Sequence, residues 1–250
     1  MTPLNVLSLF DGCGTGLLAL KRAGIPVAHY YASEVDKYAI QIAKKNHPEI
    51  EHIGDVKRVW ARNLPKIDLL IGGSPCQDLS VAKQNRQGLK GQRSGLFWHY
   101  VRLFRTTKPR WFLLENVASM SQADRDQITK ILGVEPILIN SALVSAQQRN
   151  RLYWTNISGV TQPEDKGLLL KNVLENSVTD RQKARSVIAS IGRTTWREYF
   201  KKQQGTLAFT PSHLRSFGSR GKILTQESEK SPTLMAAMGG GWRKRAVYSI

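Results

Sequence analysis

Short apolar runs alternate with amphipathic stretches through residues 1–155, and this alternation limits the possible folds more than any other feature of the sequence. The expected strands are residues 5–10, 27–32, 66–72 and 110–115, and the expected helices are residues 17–23, 37–46, 95–105 and 124–132. Strands that alternate with helices predict an α/β fold around a largely parallel sheet. Ligands of such sheets bind beyond the carboxyl ends of the strands, so the residues there are the first candidates for a site.

The pattern weakens after Thr155, where basic residues and Gly/Ser turns replace the long apolar runs. We therefore predict an α/β domain over residues 1–157 and a smaller, basic region over residues 158–250. The segment 77–93 is long, polar and basic, which is typical of a lid or binding loop.

Composition excludes several classes of protein. The 37 basic and 19 acidic residues give a net charge of +18, which favours a polyanionic partner over mere solubility. Two cysteines, Cys13 and Cys76, cannot build a disulfide framework, and the five histidines lack metal-ligand spacing, so we expect no metal site. The sequence contains neither a membrane-length apolar run nor a signal peptide, which predicts a soluble protein that is not secreted.

Three acceptor-bearing segments predict a nucleoside pocket. The glycine-rich turn "FDGCGTG" (Phe10–Gly16) lacks the spacing of a pyrophosphate-binding loop. Glu34, after the second strand, can accept from ribose hydroxyls, and Asp55 can accept from an adenine amino group. S-adenosylmethionine, a nucleoside without a pyrophosphate, meets these demands. The alternative is that the turn caps a helix and the two carboxylates lie on the surface.

A thiol, an acid and two guanidiniums predict a second site. Cys76 follows the strand-like run in "LLIGGSPCQDLS", Glu115 lies in "LLENV", and Arg149 and Arg151 lie two positions apart in "QQRNRLYW". On a strand, that spacing would direct both arginines to one face. Thiolate addition at C6 of a cytosine, with an acid at N3 and an arginine at O2, would make C5 nucleophilic. The alternative is a core cysteine, a helix-capping acid and a solvated arginine pair.

These segments resemble the blocks of the cytosine-C5 DNA methyltransferases, in the family's order and over nearly the whole chain. The matching segments are "FDGCGTG", "SEVDKYA", "GDV", "GGSPCQDLS", "RSGLFW", "FLLENV" and "QQRNRLYW". The amino-terminal half is also similar to the de novo branch of that family. The resemblance implies a Rossmann-like, S-adenosylmethionine-dependent methyltransferase fold with a small basic target-recognition region.

The resemblance also implies roles for individual residues. Cys76 would be the nucleophile, with Pro75 shaping its turn and Asn116 holding that loop. Glu115 would engage N3 of a flipped cytosine, Arg151 would contact O2, and Arg149 would position the loop or a phosphate. The implied cofactor-binding residues are Phe10, Asp11, Gly12, Gly14, Thr15, Glu34, Val35, Asp55, Val56, Pro75 and Leu96.

The chain departs from the family pattern at its carboxyl end. After "KSPTLMAAMGGGW" the family continues with a Thr-x-x-Glu block and a Gly-Asn block, and neither precedes Ile250. The sequence therefore suggests a truncated enzyme, an enzyme completed by a second protein chain, or a weak relative, and it predicts poor cofactor binding by residues 1–250 alone.

The expected substrate is double-stranded DNA, and the expected product of the cofactor is S-adenosylhomocysteine. Transfer RNA methylation by similar chemistry, a silent DNA-binding protein with this fold and, more distantly, a nicotinamide-dependent oxidoreductase are the alternatives. The expected location is the cytoplasm of a bacterial or phage system, or the nucleus of a eukaryote. The recognised DNA sequence and a restriction or regulatory role stay open.

Overall fold

The computed structural model describes residues 2–75, 95–174, 178–179, 181–185 and 208–209. The helices are α1 (Thr15–Arg22), α2 (Lys37–Asn46), α3 (Leu96–Thr107) and α4 (Gln122–Leu132). The strands are β1 (Leu4–Leu9), β2 (Val27–Ser33), β3 (Glu51–His52), β4 (Leu69–Gly72), β5 (Trp111–Val117), β6 (Ile137–Asn140), β7 (Asn150–Thr155), β8 (Val178–Thr179) and β9 (Ala208–Phe209).

Seven of the described strands form one mixed sheet in the order β3-β2-β1-β4-β5-β7-β6. The pairs β1–β2, β1–β4, β2–β3 and β4–β5 are parallel, and β5–β7 is antiparallel. This mostly parallel sheet with helices confirms the predicted α/β, Rossmann-like fold class. Strands β8 and β9 form a separate two-stranded sheet.

The central strands are largely buried, which is why apolar residues dominate them in the sequence. Along β1, Leu7 and Leu9 belong to one hydrophobic cluster, whereas Leu4 and Val6 belong to another. The first cluster includes residues of α3 and α4, and the second includes residues of α1 and α2. The alternation along one strand therefore anchors helices on both sides of the sheet.

The strand order places a topological switch point between β1 and β4. From β1 the chain moves outward through β2 to β3, then crosses to β4 and continues to β5 on the other side. The residue pair Leu9 and Gly72 brings the carboxyl ends of β1 and β4 side by side. The crevice beyond these two ends is where open α/β sheets bind their ligands.

The chain divides into two compact units, one of residues 1–139 and 150–162 and the other of residues 140–149 and 163–250. The predicted boundary after residue 157 and the target-recognition role of residues 158–250 stay predictions, because little of that region is described. In the second unit, Lys183 Nζ donates to the carbonyl oxygens of Ala142, Ser145 and Leu168, which ties segment 140–149 to the chain that follows.

Candidate functional site

The turn after β1 has an unusual backbone. Phe10 has a φ of 59°, a left-handed value that costs a non-glycine residue about 1 kcal/mol or more. Its amide donates to the Ser33 carbonyl at the end of β2 over 2.8 Å, which holds the turn against the neighbouring strand. Gly12, with a φ of 64°, has no atom of the described residues within 4 Å of the position of an added Cβ. The turn therefore leaves open space beside its backbone.

Glu34 follows β2 directly and is held by backbone amides. Its Oε2 accepts from the amide of Gly12 over 2.9 Å. Its Oε1 accepts from the amides of Val35 and Asp36 over 2.7 and 2.9 Å. Three amides thus fix a carboxylate with about four acceptor sites, which leaves acceptor capacity for a ligand hydroxyl. The adjacent Val35 is 70% exposed, so an apolar side chain lies beside this carboxylate without a cover among the described residues.

Asp11 is a buried carboxylate with an unsatisfied oxygen. Its Oδ1 accepts from Ser8 Oγ and Tyr30 OH over 2.6 and 2.7 Å. Its Oδ2 is buried and has no hydrogen-bond partner among the described residues. Burial, and then Asp11, raise the pKa of Tyr30 well above its usual range, so its hydroxyl remains a donor. An orphaned carboxylate oxygen of this kind suits a ligand that carries a hydrogen-bond donor.

Asp55 begins a 3-10 turn (Val56–Arg58) beyond the end of β3. Its Oδ1 accepts from the amide of Lys57 over 3.0 Å and so caps the turn. Val56 is buried in the core cluster that contains α3, and Leu96 is the first residue of α3. Gly14 is the N-cap residue of α1 and Thr15 is the first residue of that helix.

These residues fit the nucleoside and amino-acid parts of S-adenosylmethionine. Glu34 and Asp55 offer carboxylate oxygens, Asp11 offers a buried acceptor, and Gly12 leaves room for close approach of a ligand to the backbone. The structure thus brings the predicted acceptors to the carboxyl ends of β1, β2 and β3. Their contact with a cofactor stays a prediction.

The end of β4 leads into Gly73, Ser74 and Pro75, and Asn116 of β5 holds this segment. Asn116 Nδ2 donates to the carbonyl oxygen and Oγ of Ser74 over 3.3 and 3.1 Å. Asn116 and Ser74 are both buried. The backbone that precedes position 76 is therefore fixed from the neighbouring strand. Cys76 and the predicted loop 77–93 lie outside the described residues.

Glu115 and Arg151 form an ion pair across the antiparallel strands β5 and β7. Arg151 Nε lies 2.6 Å from Glu115 Oε1, and the side chains are 17% and 30% exposed, respectively. Arg151 Nη1 also donates to its neighbour's carbonyl oxygen, that of Asn150, over 2.8 Å. A Cβ added at Gly73 would lie 2.9 Å from Glu115 Oε2, so the carboxylate sits directly against the end of β4.

Two strand bounds decide how Glu115, Arg149 and Arg151 are arranged. Arg149 precedes β7 and is exposed, and its amide donates to Asn140 Oδ1 over 3.1 Å. The two arginines consequently do not share a strand, because β7 begins only at Asn150. Glu115 lies within β5, two residues before its end, because pairing with β7 extends β5 to Val117.

Three residues that the sequence analysis did not select also contribute to the candidate site. Tyr30 and Ser74 form the hydrogen bonds to Asp11 and Asn116 described above. Arg102 of α3 donates to two carbonyl oxygens near Asp55. Each acts on a residue far away in the chain, and no local pattern in the sequence marks such a contact.

Within the described part of the chain, no group of three or more His, Cys, Asp or Glu residues is arranged to hold a metal ion. A search of the same part of the chain found no helix that is long and apolar enough to cross a membrane.

Comparison with known proteins identifies several methyltransferases similar to this chain. An orphan methyltransferase of Bacillus phage rho11s is 33% identical over 210 residues, which cover 79% of this chain and 39% of the phage protein. The type II methyltransferase M.NgoPII of Neisseria gonorrhoeae is 38% identical over 120 residues, covering 47% of this chain and 34% of that protein. M.NgoBV of the same organism is 28% identical over 207 residues, covering 71% and 48%.

The chain thus spans less than half the length of these curated relatives. The family model for C-5 cytosine-specific DNA methylases matches residues 4–234, which contain all the predicted site residues. Methyltransferases of this family use S-adenosylmethionine. The chain belongs to the C-5 cytosine-specific DNA methylase family.

Proposed function

We propose that this chain carries the catalytic site of a DNA cytosine-5 methyltransferase that acts through a covalent adduct of Cys76 with a flipped base. The observation that carries the proposal is the Glu115–Arg151 ion pair against Gly73, three residues before Cys76. An acid and a guanidinium adjacent to a thiol-bearing segment are the groups that activation of a cytosine ring requires.

The proposed substrate is duplex DNA. The net charge of +18 favours a polyanion, and phosphate contacts supply much of the affinity of DNA-binding proteins. C6 of a stacked cytosine is inaccessible to a thiol, so the base must leave the helix at a cost of a few kcal/mol. Basic side chains that contact the backbone offset that cost.

In the proposed reaction, the Cys76 thiolate adds to C6 and forms the carbon–sulfur bond. The electron pair of the C5–C6 double bond moves towards N3 and C5, which makes C5 a nucleophile. C5 takes the methyl group, whose former bonding pair remains on the departing thioether sulfur. A base then removes the C5 proton, the double bond re-forms, and the thiolate leaves.

Glu115 and Arg151 stabilise the activated ring in this scheme. Their pairing through Nε and Oε1 leaves Oε2 of Glu115, which carries the proton in this scheme, to donate to N3, and Nη2 of Arg151 to donate to O2 of the base. Arg151 then holds the carboxylate in place and also neutralises the charge that develops on the ring. Pro75 and Asn116 shape the segment that carries the thiol, and Arg149 binds a phosphate or positions that segment.

The proposed cofactor residues are those that surround the turn after β1. Glu34 accepts from the ribose hydroxyls, Asp55 from the adenine amino group, and Val35, Val56, Pro75 and Leu96 enclose the base. Phe10, Asp11, Gly12, Gly14 and Thr15 bind the amino-acid part. When bound, S-adenosylmethionine supplies an electrophilic methyl group on its sulfonium.

Transfer of labelled methyl from S-adenosylmethionine to duplex DNA, single-stranded DNA and transfer RNA tests this proposal. We expect 5-methylcytosine in duplex DNA, no product with Cys76→Ala, and retained activity with Cys13→Ala, the matched control. Cys13 is exposed and has no part in the proposed chemistry.

Bisulfite sequencing of DNA from cells that express the chain would identify the methylated sites. Incorporation into transfer RNA instead of DNA would contradict the proposed substrate. Undiminished activity of Cys76→Ala would contradict the proposed chemistry.

A further inference from the structure

Arg102 of α3 binds the segment that follows Asp55 with two hydrogen bonds. Its Nη1 donates to the carbonyl oxygen of Val59 over 2.8 Å, and its Nη2 donates to that of Val56 over 3.0 Å. The guanidinium also lies 4.8 Å from the centre of the Trp60 ring. One side chain therefore contacts three residues of a single turn.

A guanidinium is suited to this position because its planar fork can satisfy two carbonyl oxygens while it stacks on an aromatic ring. Lysine presents a point charge, which cannot reproduce both bonds and the stacking. Val56 and Val59 are buried, so their side chains fix one side of the turn in the core. Arg102 fixes the other side through the backbone.

The turn held in this way begins at Asp55. The carboxylate caps the turn through Oδ1 and the Lys57 amide, and Oδ2 accepts no hydrogen bond from the described residues. Movement of the Val56 carbonyl would rotate the backbone beside Asp55 and redirect Oδ2. Helix α3, which carries Arg102, starts at Leu96, so a single helix reaches both Leu96 and the Asp55 turn.

We infer that Arg102 is a positioning residue that sets the direction of Asp55 and thereby the selectivity of the cofactor site for an adenine amino group. The inference rests on the proposed function, because it requires Asp55 to accept from that amino group. Arg102 does not touch the cofactor in this account. Its effect is confined to the orientation of the acceptor.

Selectivity between two ligands separates this role from a structural one. S-adenosylhomocysteine carries the amino group, whereas S-inosylhomocysteine presents a carbonyl oxygen at the same place. Isothermal titration with both ligands gives a ratio of dissociation constants, and a general loss of folding lowers both affinities without changing that ratio. We expect the wild-type protein to favour the adenosyl ligand by about tenfold or more.

The test variant is Arg102→Lys, and Arg105→Lys is its control. Arg105 is exposed on the same helix, one turn further along. We expect Arg102→Lys to reduce the selectivity ratio to below about threefold, mostly through weaker binding of the adenosyl ligand. Arg105→Lys should leave the ratio unchanged.

A double-mutant cycle with Asp55→Ala tests whether Arg102 acts through Asp55. In the Asp55→Ala background, Arg102→Lys should cause no further change in the ratio. An unchanged ratio in Arg102→Lys, or an equal further loss in the double variant, would overturn the inference. Failure of the wild-type protein to favour the adenosyl ligand, even where both ligands bind weakly, would overturn the proposed cofactor site itself.

Discussion

The two sides of the crevice are held together in different ways. On the β1–β2 side, Glu34 accepts from the amides of its neighbours Val35 and Asp36 and also from that of Gly12, 22 positions away. On the β4–β5 side, the contacts join distant segments, such as Asn116 to Ser74, 42 positions away. The first side thus combines local backbone contacts with contacts between strands, whereas the second depends on the packing of β5 against its neighbours.

This difference matches the two proposed roles, in which the β1–β2 side binds the cofactor and the β4–β5 side carries the reaction. Acceptors fixed by amides keep their direction without a second charged group, which suits a site that only holds a ligand. The Glu115–Arg151 pair depends on the register between β5 and β7, so it forms only when the sheet is complete. Changes on the β4–β5 side should therefore lower turnover, and changes on the β1–β2 side should lower cofactor affinity or stability.

The largest expected effect is on turnover in Glu115→Gln. The change removes the proton that Glu115 is proposed to donate to N3 and weakens the contact with Arg151. We expect kcat for methyl transfer to fall about 10²–10³-fold, within the range for loss of a general acid. The dissociation constant of S-adenosylhomocysteine should stay within about twofold of the wild-type value.

Glu135→Gln, an exposed acid after α4, is the control for this change and should retain full turnover. A comparable loss in both variants would show that the effect does not come from the β5–β7 pair.

Removal of the acceptor on the other side should affect binding instead. Glu34→Ala removes the proposed ribose acceptor and leaves the Gly12 amide without its partner. We expect cofactor affinity to fall by about tenfold or more, with kcat at saturating cofactor reduced far less than in Glu115→Gln. Glu51→Ala, an exposed acid of β3, should change neither quantity. Loss of kcat without loss of cofactor affinity in Glu34→Ala would contradict the assignment of cofactor binding to the β1–β2 side.

A third change addresses stability on the β1–β2 side. Tyr30→Phe deletes the hydroxyl that donates to Asp11 Oδ1 and leaves a buried carboxylate with fewer partners. We expect the free energy of unfolding to fall by about 1–3 kcal/mol in urea titrations. Tyr31→Phe, on the next, partly exposed position of β2, should change it by less than about 0.5 kcal/mol. Equal effects of the two substitutions would show that the Asp11 bond contributes nothing.

The smallest expected effect is a pH dependence. Burial, and then Lys44, lower the pKa of His52, while Asp11 raises it; both ring nitrogens are buried without a partner among the described residues. Because the folded-state pKa lies below the unfolded value of about 6.5, the unfolded chain binds the proton first as the pH falls. Stability should therefore decrease as the pH falls below the unfolded value of about 6.5, because the unfolded chain then takes up a proton that the folded chain does not.

Urea titrations at pH 7.5 and 5.5 measure this loss. His52→Gln should reduce the difference between the two pH values, whereas His29→Gln, an exposed histidine on β2, should preserve it. An identical pH dependence in the wild type and His52→Gln would contradict the expectation.

Much of the sheet was predictable because its central strands are largely buried. β1, β2 and β4 appear as apolar runs, and α2 agrees with its predicted bounds, with Asp36 as the capping residue. β7 begins with the polar residues Asn150 and Arg151, which do not indicate a strand in the sequence. The strand forms here because it pairs with β5. The sequence raised a strand shared by Arg149 and Arg151 only as a condition, and β7 begins one residue too late to include Arg149.

The residues that accept hydrogen bonds in the candidate site could be predicted from the sequence, but the residues that hold them could not. The order of Glu34 and Asp55 after successive strands indicated the acceptors, because the carboxyl ends of parallel strands meet at one edge. The partners of those acceptors were not predictable. Tyr30 and Arg102 contribute through contacts that depend on packing between strands and helices, and the sequence pattern around them is that of ordinary core and helix residues.

Covalent trapping on duplex DNA that contains 5-fluorocytosine detects the proposed Cys76 adduct itself, because fluorine at C5 prevents the final elimination. We expect a protein–DNA adduct that survives denaturation, requires S-adenosylmethionine for full yield, and maps to Cys76 by mass spectrometry. The adduct should be absent from Cys76→Ala and undiminished in Cys13→Ala. An equal yield from Cys76→Ala, or methylation of ordinary duplex DNA without any trapped adduct on the fluorinated duplex, would contradict the account.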